Sequence, residues 1–536
     1  MDFKSGSPNN CTNSSSTSCY RWKSAIDLEM TVDKFGPSDL CISIRWRTQL
    51  FDPVVKDCFL IDNQYGRWFG GFGGAASFPI GKHVPSTLYL PGESFGEMAD
   101  RLWLSTNGVA VVAEADFPLY LEVRKDNSGS SRELCVSSWY GYASGVRRMD
   151  YSICRSASTS QVHQLIMEKF LKPKNENYEI LQSFRQPIFT VNSLADVPTI
   201  TSSTNYSYII TTDKQNDSQI SDRLGVVFSP IYNLPASIDI DLLDADIWIK
   251  TDDLDTTRML RTDGKLSTLA NSSSDSMSML LNRSSDTEEL VKISGFDLEA
   301  ISSDGKYSVQ EIETTFQLYT RNLIRKIKDV SDVPVLTSTT ANLDRESVVV
   351  SLPPIANLQE TLRKVLQASM MGYNVLSAGE IGGNLTREAF VRAVQLAVFM
   401  PVMEFSLSVL NYDQETLNTW RKWLQIREDL QLVDKMEKYI RDSPYKPLLT
   451  PSWWSCVDSA TDLTDTQFIF IGRYLIAPIL DPTSTSRLVH FPPGLWLRKW
   501  LDGSGNGFKD SLYQGKCTEW ISADLDELLI FEQYQY

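Results

Sequence analysis

Three kinds of residue in this chain invite a chemical reading: histidines, cysteines and glycine-rich turns. The histidines are His83, His163 and His490, scattered over different segments. That scatter supports neither a histidine metal centre nor a Ser-His-Asp arrangement. His163 lies on a stretch of helical spacing and reads as a structural or exposed side chain. The eight cysteines are Cys11, Cys19, Cys41, Cys58, Cys135, Cys154, Cys456 and Cys517. An even number fits disulfides, and the crowding of six of them before residue 155 predicts a stapled N-terminal unit. Cys135–Cys154 brackets a hairpin-like segment and Cys11–Cys19 a short serine-rich loop. Both are candidate pairs, and the connectivity stays open. No CxxC spacing occurs, so a zinc site is unsupported. The glycine-rich run Gly66–Gly74 carries Trp68 and Phe69 and lacks a following Lys-Ser/Thr helix start. It reads as a tight loop with aromatic packing, not a phosphate cradle.

The scaffold that must position any site is large. The chain has 536 residues, 42% hydrophobic and 22% charged, with a formal charge of −16. This is globular composition for two to four domains. The acidity argues against general nucleic-acid binding and against a polybasic membrane contact. No run of about 18 apolar residues occurs; the nearest, Ala393–Leu410, is broken by Pro401 and Glu404 and reads as a buried helix leading into a strand. Residues 1–155 read as an antiparallel β-sandwich, with segments such as Leu40–Trp46, Leu102–Ala113 and Leu119–Arg124 between Gly, Pro, Asn and Ser punctuation. A linker helix follows within 156–183, centred on Gln161–Leu171. Residues 184–445 alternate short apolar strands with helical patterns such as Val309–Lys328, Leu358–Met371, Thr386–Met400 and Gln414–Tyr439. That alternation predicts a (β/α)8 TIM-type barrel, with Asp239–Thr287 as long surface insertions. Residues 446–536 return to strands and predict a small C-terminal β-sandwich. The fold class expected is therefore multidomain α/β plus β. Seven glycosylation sequons, at Asn10, Asn13, Asn205, Asn216, Asn271, Asn282 and Asn384, join the cysteines in pointing to a secreted or ER/Golgi luminal protein. The N-terminus itself has no signal-peptide pattern. The thirteen tryptophans, among them Trp68, Trp453, Trp454 and Trp496, are expected in cores and interdomain seams.

Several strings resemble glycoside hydrolase family 31. MGYNVLSAGEIGGN followed by FMPVMEFSLSVLNYD, within Met371–Asp413, is similar to the family's GY…P-D-M-x-G-G-N and FMP-x-MQFS strings. PSWW and QFIFIGRYLIAPILDP, within Pro451–Pro482, are similar to P-L-W-W and Q-F-L-x-G-D-x-L-L-V-A-P-V-L. RWFGGFGGAASFPI, Arg67–Ile80, resembles W-Y-G-G…W-P-I, and Arg101–Val123 opens like the family's R-x-W-L-S segment. VHQLIMEKFLKP resembles the helix that enters the family's barrel.

The resemblance implies a sandwich–barrel–sandwich glycosidase fold, a carbohydrate or glycoprotein ligand, α-linked glucosides or galactosides above all, and no cofactor. Retaining hydrolysis needs two carboxylates roughly 5–5.5 Å apart, one a nucleophile and one an acid/base. Here the match puts Ser294 at the nucleophile position, in LVKISGFD, and Gly379 at the acid/base position. Neither offers a carboxylate, and a lone Ser lacks a base to ionise it. Asp297 and Glu380 are the nearby substitutes, but Glu380 is adjacent to the matched position and would point the other way without a local shift. Asp213, Ser229 and Arg345 fall at sugar-contact positions, Thr211 and Thr212 replace an acidic pair, and Val348, Ser351 and Arg473 replace further polar contacts. The expected protein is a non-hydrolysing, glycan- or protein-binding relative of these enzymes. The alternative is a retaining α-glycosidase with a displaced Asp297/Glu380 pair.

Overall fold

The computed structural model describes residues 9–13, 17–22, 26–48, 55–61, 66–73, 78–81, 87–88, 98–114, 117, 119–125, 131–138, 147–172, 175–191, 199–200, 203–211, 224–228, 247–250, 257–260, 290–293, 324, 334–338, 340, 347–454, 465–500, 507–515 and 517–534. Before residue 156 the chain forms two antiparallel sheets, one of eight strands and one of four. They share a core in which Trp103 and Val111 of the larger sheet meet Leu121, Leu134 and Val136 of the smaller. Alternation puts Leu119 and Leu121 into that core while Tyr120 and Glu122 stay part-exposed. The expected single segment Leu102–Ala113 is a hairpin of Ala99–Ser105 and Val109–Ala113, turned at Gly108, whose φ is +70°. The expected glycine-rich loop is in part the strand Trp68–Phe72, paired with Ala99–Ser105.

Among the described residues two disulfides staple this unit, Cys41–Cys154 and Cys58–Cys135. The candidate pair Cys135–Cys154 is therefore wrong. Those residues lie in different sheets, and each bonds the cysteine opposite it in register on a neighbouring strand. Cys19 is disulfide-bonded as well. The Cys11–Cys19 candidate turns on the Cys11 side chain, which is outside the described part of the structure.

Helix α1, Thr159–Ile166, follows, capped by Ser158 accepting from the Gln161 N–H. It continues into a wider turn, Met167–Leu171, and stops at Lys172 with φ +46°. Eight parallel strands then close a barrel in chain order. They are β1 Ile188–Val191, β2 Tyr208–Thr211, β3 Leu224–Phe228, β4 Leu290–Ile293, β5 Val335–Thr337, β6 Val349–Ser351, β7 Leu376–Ile381 and β8 Val402–Ser406. β8 pairs back onto β1, with Glu404 opposite Ile188. The described helices outside the last strands are α2 Leu358–Met370, α3 Arg387–Ala397, α4 Gln414–Asp429 and α5 Leu432–Asp442. The expected single helix Gln414–Tyr439 breaks at Gln431, which takes a left-handed conformation with φ +49°. All but Ile324 of the expected helix Val309–Lys328 is outside the described residues. Within Asp239–Thr287 the backbone of Ile247–Lys250 pairs antiparallel with Thr257–Leu260.

After α5 a six-stranded sheet and a two-stranded ribbon, Ser486–Phe491 with Cys517–Ser522, enclose a small core around Val489, Trp496, Leu529 and Phe531. The larger core runs on from the N-terminal sheets through α1 into the barrel. Buried Asp100 fixes that seam, accepting from Thr340 Oγ1 at 2.6 Å and Tyr373 Oη at 2.7 Å. Arg392 and Gln395 of α3 hold the C-terminal unit through the carbonyls of Glu527 and Leu525. Among the described residues no helix is long and apolar enough to cross a membrane.

Candidate functional site

The C-terminal ends of parallel barrel strands are where such folds build sites. The best described part of that rim is β7 with β8. Phe405 of β8 packs its ring on Trp420 of α4, with centroids 5.4 Å apart, so it faces the helix layer. Alternation turns Glu404 inward, and it is 0% exposed. Directly opposite residues of parallel strands share a face, and Ile381 pairs with Phe405 while Glu380 pairs with Glu404. Glu380 therefore faces the barrel interior, half-buried, level with Glu404.

A bulge produces this. Ser377 pairs with Val402 and Glu380 with Glu404, so β7 carries one residue more than β8 over the same span. The extra residue accommodates Gly379, whose φ is +104°. A side chain has no room there: a Cβ on Gly379 would lie 2.0 Å from the Pro353 carbonyl oxygen. The bulge puts Glu380, the residue after Gly379, in register with Glu404. Gly383 is constrained similarly, since a Cβ would come within 2.6 Å of the Ser408 carbonyl oxygen. Its N–H donates to Ser408 Oγ at 2.8 Å, and Ser408 Oγ in turn bonds Ser406 Oγ. Thr190 of β1 is level with Ser406, and its buried Oγ1 has no hydrogen-bond partner among the described residues.

The other sequence-assigned positions fare differently. Ser294 and Ser229 are the next residues in sequence after β4 and β3; they, Asp297, Asp213 and Arg345 lie outside the described residues. Val348 and Ser351 are buried at β6. Arg473 pairs with Glu532 of the C-terminal sheet. Of the sequon asparagines, Asn205 and Asn384 are exposed. His163 is a core residue: its Nε2 lies 2.9 Å from the Met370 carbonyl, and burial drives its pKa down to about 4. Glu404 was missed by sequence reasoning, although FMPVMEFS carries an acid where the matched family string has Gln. Arg427 was missed too. It is 2% exposed and donates to the carbonyls of Val398, Met400 and Pro401, each at 2.7 Å. It borders a cavity of about 280 Å³ that also touches Arg185 and Gln186, just before β1 and so at the opposite end from the rim.

No family model matches the chain. It is 31% identical over 156 residues to the myogenesis-regulating glycosidase of Mus musculus, covering 26% of this chain and 22% of that protein. It is 29% identical over 147 residues to the SITS-binding protein of Tetronarce californica, covering 26% and 21%. The matched stretch thus spans about a fifth of each curated relative's length. Among solved structures, a GH31 family sulfoquinovosidase from E. rectale superposes with a TM-score of 0.62 at 13% identity, over 99% of this chain and 89% of that one. The fold shared with that enzyme, joined to local sequence kinship with a named glycosidase, makes this chain a relative of glycoside hydrolase family 31.

Proposed function

We propose that the chain is a glycan-binding member of this glycosidase group that does not hydrolyse its ligand. The observation that carries the reading is Gly379. At the position the sequence match assigns to the acid/base, the backbone of Pro353 occupies the space a side chain would need. The matched nucleophile position is Ser294, which supplies no carboxylate. Retaining hydrolysis needs both groups. The barrel rim keeps a hydroxyl and an acid for hydrogen bonding a sugar: Ser406 and Glu380. The reading takes 184–445 as a (β/α)8 barrel, flanked by β-sandwiches at 1–155 and 446–536. Cys41–Cys154 and Cys58–Cys135 support an oxidising compartment, secreted or luminal. The ligand class is an α-linked glucoside or galactoside, free or on a glycoprotein.

One observation favours a second reading. The bulge in β7 turns Glu380 into the barrel, where a proton donor belongs, so a displaced pair of Glu380 with Asp297 would make a retaining α-glycosidase. Calorimetric titration of α-glucosides and α-galactosides into the protein and into Glu380→Gln separates the two. Saturable binding without product, weakened by Glu380→Gln, supports the binding reading. Product formation that disappears in both Glu380→Gln and Asp297→Asn supports the enzyme.

A further inference from the structure

The described tryptophans differ in burial, and Trp22 is intermediate. Trp46, Trp68, Trp103, Trp420, Trp423, Trp453, Trp454 and Trp496 are buried. Trp520 is 73% exposed. It stands on the strand Cys517–Ser522 of the C-terminal ribbon, directly opposite Leu488. Val489 and Ile521 of the same ribbon are buried in the small core, so alternation places Trp520 on the outer face. The residues sharing that face are Ser486, Leu488, His490, Thr518 and Ser522.

This face has two unusual properties. First, none of these six ribbon residues is Asp, Glu, Lys or Arg in a chain of formal charge −16, although exposed Glu519 stands beside Trp520 on the same strand. Second, it is held stiffly. His490 Nδ1 lies 3.0 Å from Thr518 Oγ1, and buried Gln467 clamps the His490 backbone at both its N–H and its carbonyl. A flat aromatic surface left in water loses the burial that aromatic side chains ordinarily gain, and a hydroxyl and imidazole rim suits a neutral partner with one apolar face and many hydroxyls. A nucleic-acid partner would find no Lys or Arg among these six.

We propose that Trp520 is the stacking platform of a binding site for a neutral pyranose oligosaccharide on the C-terminal ribbon, with Thr518, His490 and Ser522 as hydrogen-bonding rim. The site requires no hydrolysis and no contribution from the barrel rim.

The test is an array of neutral oligosaccharides, including maltoheptaose and α-galactosyl oligosaccharides, probed with the full chain and with Trp520→Ala, Trp520→Tyr and Glu380→Gln. Trp520→Ala should fold normally because the side chain is exposed, and its melting temperature checks that. The expected result is capture of at least one glycan that falls about tenfold in Trp520→Ala, recovers in Trp520→Tyr and persists in Glu380→Gln. Capture that falls with Glu380→Gln and not with Trp520→Ala overturns the proposal and leaves the barrel reading standing. No captured glycan overturns it. Sedimentation in which Trp520→Ala abolishes self-association, with glycan capture unchanged, also overturns it and assigns the face to a second copy of the chain.

Discussion

Replacing Gly379 by Ala tests the closed rim position directly. An ideal Cβ there lies 2.0 Å from the Pro353 carbonyl oxygen, 2.8 Å from its carbonyl carbon and 2.9 Å from the Leu352 carbonyl oxygen. All three are backbone atoms, so no rotamer change relieves the clash. The φ of +104° adds a backbone cost, because side chains avoid that region. The backbone term is about 1–3 kcal/mol. The overpacking term is of similar size, about 1–3 kcal/mol. Together they give a destabilisation of about 2–6 kcal/mol, which in a unit of this size lowers the melting temperature by about 5–15 °C. Differential scanning calorimetry of wild type and Gly379→Ala measures it. Gly379→Asp should lose at least as much and should restore no hydrolysis, because the carboxylate cannot occupy the place the match assigns it. A Gly379→Asp protein with the wild-type melting temperature would refute the reasoning.

Three further outcomes follow from the same structure. His163 is buried neutral, its pKa pushed by burial down to about 4 from an ordinary 6.5. The unfolded chain therefore binds the proton first on acidification; stability from this group is complete above pH 6.5 and is lost towards pH 4, by up to about 3 kcal/mol. His163→Gln should flatten the stability–pH curve in that window, and an unchanged slope would count against the burial. Arg427→Met strips three buried carbonyls of their donor and should cost about 3 kcal/mol in denaturant unfolding, with Arg427→Lys recovering only part. Cys41→Ser/Cys154→Ser should destabilise the N-terminal unit by about 2–5 kcal/mol, read as earlier proteolysis of residues before 156; an unchanged cleavage rate would contradict a stabilising staple.

How much of this was legible in the sequence depends on range. The strands of the N-terminal unit show in their alternation, as along Leu119–Lys125, because period 2 is a local property. Disulfide pairing was not legible. Cys41 meets Cys154 only through strand register, across 113 residues of chain. The bulge in β7 was hidden for the same reason, since it exists only relative to β8. The glycine in SAGEIGG marks a special backbone position, but not that the next residue changes face. The break at Gln431 was hidden too, because the apolar spacing of α4 runs on into α5 without Gly or Pro.

The central claim is that the rim binds a sugar and does not cleave it. One NMR experiment reads both at once. The protein is mixed with α-linked glucosyl and galactosyl oligosaccharides, saturation transfer to the sugar is recorded, and the anomeric protons are followed over days. The expected result is saturation transfer that weakens in Glu380→Gln, with anomeric signals that do not change. New reducing-end signals that appear with wild type and are absent with Glu380→Gln would contradict it.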